Sequence, residues 1–235
     1  MWPALTVVVP AYNEEDALPP TAARILAFLR AEVADGELII VDDGSSDGTP
    51  AVVDRLAAEH PEVTAIHLAK NSGMGAALQA GYAAATRDWI TMLPADGQID
   101  PSSLPAFFAA ARDEGADLVT SVYKNRRYPP HRKILSVGLR LLTAAIVGTR
   151  ARTEGTYMVR RDVLERLGAR SDSFMLNLEI PIRARRGGYR VATIAIDVHD
   201  RVAGHSKAAT PGRIAHTLRE LVALRLRIER ERRGA

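Results

Sequence analysis

The stretch Ile90–Pro101, ITMLPADGQIDP, carries the residues best suited to chemistry in this 235-residue chain. Asp96 offers a carboxylate and Gln98, two positions on, an amide oxygen. Two hard oxygen donors at that spacing suit a Mg2+ or Mn2+ ion, which takes its other ligands from water and substrate phosphates. The same pair also serves a capped, solvated turn, so the pattern alone leaves both readings open. Position favours the first. The apolar run Trp89–Leu93 reads as a buried strand, Pro94 ends it for want of an N–H, and Pro101-Ser102-Ser103 signals a helix. Groups just past the carboxyl end of a strand lie where open α/β sheets bind their ligands.

Two further acidic loops follow strands of the same kind. Leu5–Val9 (LTVVV) reads as a first, central strand, and its loop carries Tyr12 and Glu14. Glu37–Val41 (ELIIV) is the second, followed by Asp42, Asp43 and Asp47. Asp42-Asp43-Gly44-Ser45 alone also suits a turn bonded to its own backbone. Three acidic loops at one sheet edge point instead to a single site. Without a P-loop or a cysteine nucleophile, such acids suit ribose hydroxyls and a metal-held diphosphate. Gly73-Met74-Gly75 follows the third strand rather than the first, so it is a weak dinucleotide fingerprint.

The elements that must position these loops alternate. Helices are expected from about Pro20 to Glu32, from a Thr49 cap to His60, over Ala76–Ala85 and from Ser102 to Glu114. Strands are expected at Val63–Leu68 and Asp117–Tyr123, which makes the first half βαβ units on a mostly parallel sheet. The fold class is therefore α/β, a mostly parallel sheet flanked by helices in a single domain. The second half is less regular. A basic, proline-broken loop Arg126–Lys133 leads to an apolar helix Ile134–Thr149, too short and too charged to span a bilayer. Then come a strand at Gly155–Val159, a short helix capped by Asp162 and ended by Gly168, and a helix Phe174–Arg185 despite Pro181. A strand Tyr189–Ile196 and a loop Asp197–Lys207 precede an amphipathic helix Pro211–Arg232, with Ile214, Leu218, Leu221, Val222 and Leu226 on one face.

Composition narrows the classes. With 47% hydrophobic residues the chain is not disordered throughout, and with no cysteine it holds neither disulfides nor thiolate metal sites. Met1-Trp2-Pro3 runs straight into a strand, so no secretory leader is expected. The net charge is only +3, but basic residues crowd Lys124–Lys133, Arg183–Arg190 and Arg219–Arg233, which suggests anionic partners. A charge run is usually a solvated face, so nucleic acid is not among the expected partners. His67, His131, His199, His205 and His216 lack metal-ligand spacing and suit surface or capping roles. Glu154 and Glu179 are either buried acids lining an acceptor or structural.

The segments VVVPAYNEE, IIVDDGSSDGT, NSGMGAALQAG and ITMLPADGQIDP, in this order, resemble the GT-A fold of family 2 glycosyltransferases. Within that family the likeness is to dolichyl-phosphate mannosyltransferases and related polyprenyl-phosphate glycosyltransferases. Arg132-Lys133-Ile134-Leu135-Ser136 resembles their R-x-x-x-S acceptor-phosphate motif, and Arg201–Lys207 their R-x-x-G-x-S-K loop. The resemblance implies that Pro10, Ala11, Tyr12, Glu14, Asp42 and Asp43 bind the nucleotide, and that Asp96 and Gln98 take the metal and diphosphate. It implies that Arg132, Ser136, Arg201, Ser206 and Lys207 hold phosphates, with Asp96, Arg132 and Arg201 as the catalytic set. Residues 1–125 would form the nucleotide-sugar half and 126–235 the acceptor half.

The implied reaction is an inverting transfer of a sugar from GDP-mannose or a UDP-sugar to a polyprenyl or dolichyl phosphate, with Mg2+ or Mn2+, at the cytoplasmic face of a membrane. The multi-helix anchor of some relatives is not expected. Three positions depart from the family pattern: Pro94 replaces the first metal-site Asp, Ala151 another Asp, and Ser121-Val122-Tyr123 lacks the Arg of S-R-Y. Lys124, Arg126 or Arg127 would substitute for that Arg. Two other readings fit the same residues: a family 2 transferase with a soluble sugar or polysaccharide acceptor, and a nucleotide-sugar-binding subunit with little catalysis.

Overall fold

The computed structural model describes residues 1–124, 155–199 and 211–234, with side chains in the last segment described from 219 to 231. Its strands are β1 (Leu5–Ala11), β2 (Gly36–Asp42), β3 (Val63–His67), β4 (Trp89–Met92), β5 (Leu118–Tyr123), β6 (Tyr157–Arg160) and β7 (Val191–Ile196). The helices are α1 (Leu18–Glu32), α2 (Thr49–Glu59), α3 (Met74–Ala84), α4 (Leu104–Glu114), α5 (Arg161–Leu167), α6 (Leu176–Arg186) and α7 (Pro211–Gly234).

The strands form one seven-stranded sheet in the order β3-β2-β1-β4-β6-β5-β7. β1 lies between β2 and β4, parallel to both, and β3 pairs parallel with β2. Its run of valines is buried on both faces, as a central parallel strand requires. β6 enters antiparallel between β4 and β5, and β5 and β7 are parallel. The expected mostly parallel α/β sheet is therefore present, in one domain whose sheet runs through both halves of the chain. One apolar layer (Leu18, Ile25, Leu38, Ile40, Phe107 and their neighbours) lies on one sheet face. Val8, Ile39, Leu78, Ile90, Tyr157 and Ile180 belong to the layer on the other.

Several boundaries differ from the sequence reading. α1 begins at Leu18, with prolines in the first turn, where no N–H is needed. Thr49 is the first residue of α2 rather than its cap, which is Gly48; the Thr49 N–H donates instead to Asp47 Oδ1 at 3.0 Å. Asp162 lies within the first turn of α5 and pairs with Arg160 and Arg166, while Gly168 ends that helix at φ 57 as expected. Phe174 stands outside α6 and is exposed; Pro181 is inside it, between the fully buried Ile180 and Ile182. β7 starts at Val191, after the Gly187-Gly188 turn.

The apolar stripe of α7 also differs. Leu221 and Leu224 are buried against Met175 and Ile182, with Ile228 beside them, whereas Val222 and Leu226 are 47% and 48% exposed. The spacing 221, 224, 228 follows the helical period more closely than 221, 222, 226. The side chains of Ile214 and Leu218 lie outside the described residues. So do the loop Arg126–Lys133, the helix expected at Ile134–Thr149, and Glu154.

Candidate functional site

β1 and β2 end level, with Ala11 opposite Asp42, and the Asp43 N–H donates to Ala11 O at 2.8 Å, one step past the ladder. Pro10 fits in a central strand because β4 has already stopped opposite Val8, so no partner needs its missing N–H. The two loops that follow are stitched together. Asn13, at φ 55, donates its N–H to Ser45 Oγ at 3.0 Å and accepts the Ser46 N–H on Oδ1 at 2.9 Å. The Glu14 N–H donates to Thr49 Oγ1 at 2.8 Å, the Glu15 N–H to Asp47 Oδ2 at 3.3 Å, and the Gly48 N–H to Glu15 Oε2 at 2.7 Å. These bonds fix the backbone from which half-buried Tyr12 and Glu14 project. Asn13 and Glu15, not singled out in the sequence, do the fastening.

The paired acids Asp42 and Asp43 are 3% and 4% exposed, and their neighbours explain how two carboxylates stay buried. Asp43 accepts the Ser72 N–H on Oδ1 at 2.7 Å and the Gly73 N–H on Oδ2 at 2.9 Å. Each oxygen keeps a second acceptor position, which is what a ribose hydroxyl requires. Asp42 accepts the Ser45 N–H on Oδ1 at 3.0 Å and meets His67 Nδ1 through Oδ2 at 3.2 Å. Gly44, at φ 65, lets the loop pass so close that a Cβ there would lie 2.4 Å from the Lys70 carbonyl carbon.

His67, for which the sequence suggests only a surface or capping role, instead bridges two acids. Its Nε2 lies 3.0 Å from Asp54 Oδ1, so the ring sits between two carboxylates. It donates to both only as an imidazolium. Partial burial opposes that charge, but the hydrogen bonds to Asp42 and Asp54 outweigh it and hold the imidazole above its ordinary range.

The loop after β4 begins with the Leu93 N–H donating to Val8 O at 3.0 Å. Asp96 is 7% exposed and accepts the Gln98 N–H on Oδ1 at 3.1 Å, with Gly97 between them at φ 69. Gln98 is tied to the segment after β7: the His199 N–H donates to Gln98 O at 2.9 Å, and Gln98 Nε2 to His199 O at 3.4 Å. That contact turns the Gln98 amide nitrogen toward protein and its oxygen away from that carbonyl. Among the described residues there is no group of three or more His, Cys, Asp or Glu that could hold a metal ion. Asp96 with Gln98 still fits a hard divalent cation that draws most of its ligands from a diphosphate and water.

Three acidic loops and the stretch leading toward Arg201 thus meet at one sheet edge. Arg132, Ser136, Arg201, Ser206 and Lys207 themselves lie outside the described residues. Ser121 is buried and donates through Oγ to Thr156 O at 2.7 Å, and Lys124 is exposed. Glu179 is fully buried and bonded to Ser171 and Arg183. Among the described residues no helix is long and apolar enough to cross a membrane.

Residues 6–168 match the family model described as glycosyl transferase family 2. Over 207 residues the chain is 34% identical to the undecaprenyl-phosphate 4-deoxy-4-formamido-L-arabinose transferase of Enterobacter sp. (strain 638), and it is 33% identical over 206 residues to that of Klebsiella pneumoniae. These matches take in 86% of this chain but 62% of each relative, so the chain spans less than two thirds of their length. Among solved structures it is similar to glucosyl-3-phosphoglycerate synthase from Mycobacterium tuberculosis in complex with Mn2+, UDP and glucosyl-3-phosphoglycerate. That likeness has a TM-score of 0.67 at 22% identity, over 94% of this chain and 78% of the other. A mannosyltransferase from Pyrobaculum calidifontis in complex with GDP-Man and Mn2+ gives a TM-score of 0.63 at 22% identity, over 95% and 70%. At those identities the likeness is one of fold.

Proposed function

The chain belongs to glycosyl transferase family 2, and on that premise we propose that it transfers a sugar from a nucleotide-diphosphate donor to a polyprenyl phosphate, with inversion at the anomeric carbon. One observation carries the proposal: the nucleotide-type loops after β1 and β2, the Asp96 loop, and the His199 segment that leads to the basic Arg201 motif converge on one edge of the sheet. The lipid acceptor is supported by the likeness to transferases named for undecaprenyl phosphate, which extends over both halves of the chain.

In this reading Tyr12 walls the base, and Asp43 accepts from the ribose while its two backbone donors hold it still. Pro10, Ala11, Glu14 and Asp42 shape the same subsite. Asp96 and Gln98 would hold a Mg2+ or Mn2+ ion with the diphosphate, and that ion supplies charge neutralisation as the nucleotide departs. The bond from the anomeric carbon to the diphosphate oxygen breaks as one to an acceptor phosphate oxygen forms. A phosphate monoester, with a second pKa of about 6, is already largely a dianion at neutral pH and needs no strong base. Arg132, Ser136, Arg201, Ser206 and Lys207 would hold the two anionic groups within reach of each other, so orientation does most of the work. The basic segments suit a peripheral position on an anionic membrane surface, at its cytoplasmic face.

The test is incubation of the purified chain with undecaprenyl phosphate, Mn2+ or Mg2+, and one donor at a time. The donors are GDP-mannose, UDP-glucose, UDP-N-acetylglucosamine and a nucleotide-linked 4-deoxy-4-formamido-L-arabinose. Mass spectrometry of the lipid extract should find a glycosylated prenyl phosphate with at least one donor. Donor binding without any product over soluble and lipid acceptors would support the binding-subunit alternative.

A further inference from the structure

Glu179, on α6, is 0% exposed, and nothing in the transfer reaction uses it. Its Oε2 accepts the Ser171 N–H at 2.9 Å, the Ser171 hydroxyl at 2.5 Å and the Arg170 N–H at 3.2 Å. Its Oε1 accepts from Arg183 Nε at 2.6 Å. The carboxylate therefore ties down residues 170 and 171, the first half of a strap that runs to 173. The strap lies across the start of α3: the Ala76 N–H donates to Asp172 O at 3.1 Å, and Gln79 Nε2 to Ser171 O at 3.0 Å. The fit is flush. A Cβ on Gly75 would lie 2.4 Å from Ser171 O and 2.5 Å from Ser173 O, and one on Gly73 would lie 2.9 Å from Asp172 O.

The turn beneath the strap supplies the Ser72 and Gly73 amides that hold Asp43. On its far side, Arg183 forks onto Glu231 of α7 at 2.7 and 3.2 Å, and Ser173 Oγ donates to Glu220 Oε1 of the same helix at 2.5 Å. An apolar residue at 179 would leave the buried strap amide without an acceptor, which is why a carboxylate stands there.

We propose that Glu179 is a positioning residue for the donor site: by anchoring the strap it sets the Ser72–Gly73 turn that orients Asp43, and through Arg183 it links that turn to the docking of α7. The linkage stands on geometry, and its consequence for catalysis rests on the donor-site reading of Asp43. Hydrogen exchange at the Ser72, Gly73 and Ala76 amides of the full chain, without ligand, tests the linkage. Calorimetric titration with UDP and with GDP tests the consequence.

Glu179→Gln and Gly75→Ala reach the strap from opposite sides. Each is expected to speed exchange at these three amides and to weaken nucleotide binding, both by about tenfold. Glu179→Asp, which keeps the charge, should recover part of the loss. Glu231→Gln, on a side chain 46% exposed and so safe for the fold, should move the same amides by a smaller factor. Wild-type exchange there in the folded variants overturns the proposal, and an inert Glu231→Gln overturns its α7 arm. Faster exchange with unchanged nucleotide affinity overturns the positioning role. A wild-type chain that binds neither nucleotide overturns the donor-site reading instead, and the exchange rates still decide the linkage.

Discussion

The carboxylate of Asp43 and the backbone N–H of Gly73 are 2.9 Å apart, so the acid of the β2 loop and the turn into α3 behave as one piece. If Asp43 accepts from the ribose as proposed, Asp43→Ala should act twice, removing that acceptor and releasing two backbone donors. Lost charge-assisted hydrogen bonds are worth roughly 1.5–3 kcal/mol each, so nucleotide affinity should fall by at least about tenfold. Calorimetry with the nucleotide that the wild type binds checks this, and an unchanged Kd would remove Asp43 from the donor site.

Asp96→Asn keeps the side chain's shape and its Asx turn with Gln98 but removes the carboxylate of that turn. Transfer should fall by roughly a hundredfold or more, about 3 kcal/mol of charge stabilisation, while the melting temperature changes little. Near-normal turnover by the folded variant would sink the metal assignment.

Pro94 stands two residues before Asp96, where the family pattern has an acid, and it is half-buried at the end of β4. Pro94→Asp would add a second carboxylate beside the first. If Asp96 holds the cation, this variant should reach half-maximal activity at a lower Mn2+ concentration. A Mn2+ titration identical to the wild type's would argue that position 94 does not face the ion.

His67 predicts a pH dependence whose direction is fixed. Its two carboxylate partners raise the folded-state pKa, so the bridge stabilises fully below the unfolded value of about 6.5 and fades as pH rises through the folded value. The gap in Tm between wild type and His67→Gln should be widest near pH 6 and narrow on the alkaline side. Thermal melts across that range measure it; a constant gap would mean the ring is not an imidazolium in the fold.

Legibility in the sequence followed the strength of local signals. The valine and isoleucine runs of β1 and β2 are apolar on both faces, so the parallel sheet and the acidic loops at its edge could be placed from residue type alone. A strand at Gly155–Val159 is expected too, but the antiparallel place of β6 between β4 and β5 is not legible, because four residues carry no sign of strand direction and both partners lie far away in the chain. The role of His67 depends on β3 lying beside β2 in a register that sets it opposite Asp42. Glu179 reads as an ambiguous acid until the strap's carbonyls are seen against Gly73 and Gly75. Thr49 suits helix capping by residue type, yet α2 starts at Thr49 itself, after Gly48, and its N–H is taken up by Asp47.

The proposed acceptor role of the Arg132 and Arg201 motifs is tested by substitution. Arg132→Ala and Arg201→Ala should each cut transfer to a prenyl phosphate by about tenfold or more, as loss of one Arg–phosphate fork implies. Donor affinity should fall less for Arg132→Ala. Steady-state kinetics with the acceptor varied separates the two effects, and normal acceptor kinetics in both variants would contradict the assignment.

The central claim, transfer to a lipid phosphate, is tested most directly by letting acceptors compete. The chain would be given a radiolabelled donor sugar with undecaprenyl phosphate and a panel of soluble sugars in one reaction, and the label counted in organic and aqueous phases. The lipid-acceptor account predicts label in the organic phase, dependent on the prenyl phosphate and lost in Asp96→Asn. Label confined to a soluble product, with the prenyl phosphate making no difference, would contradict it.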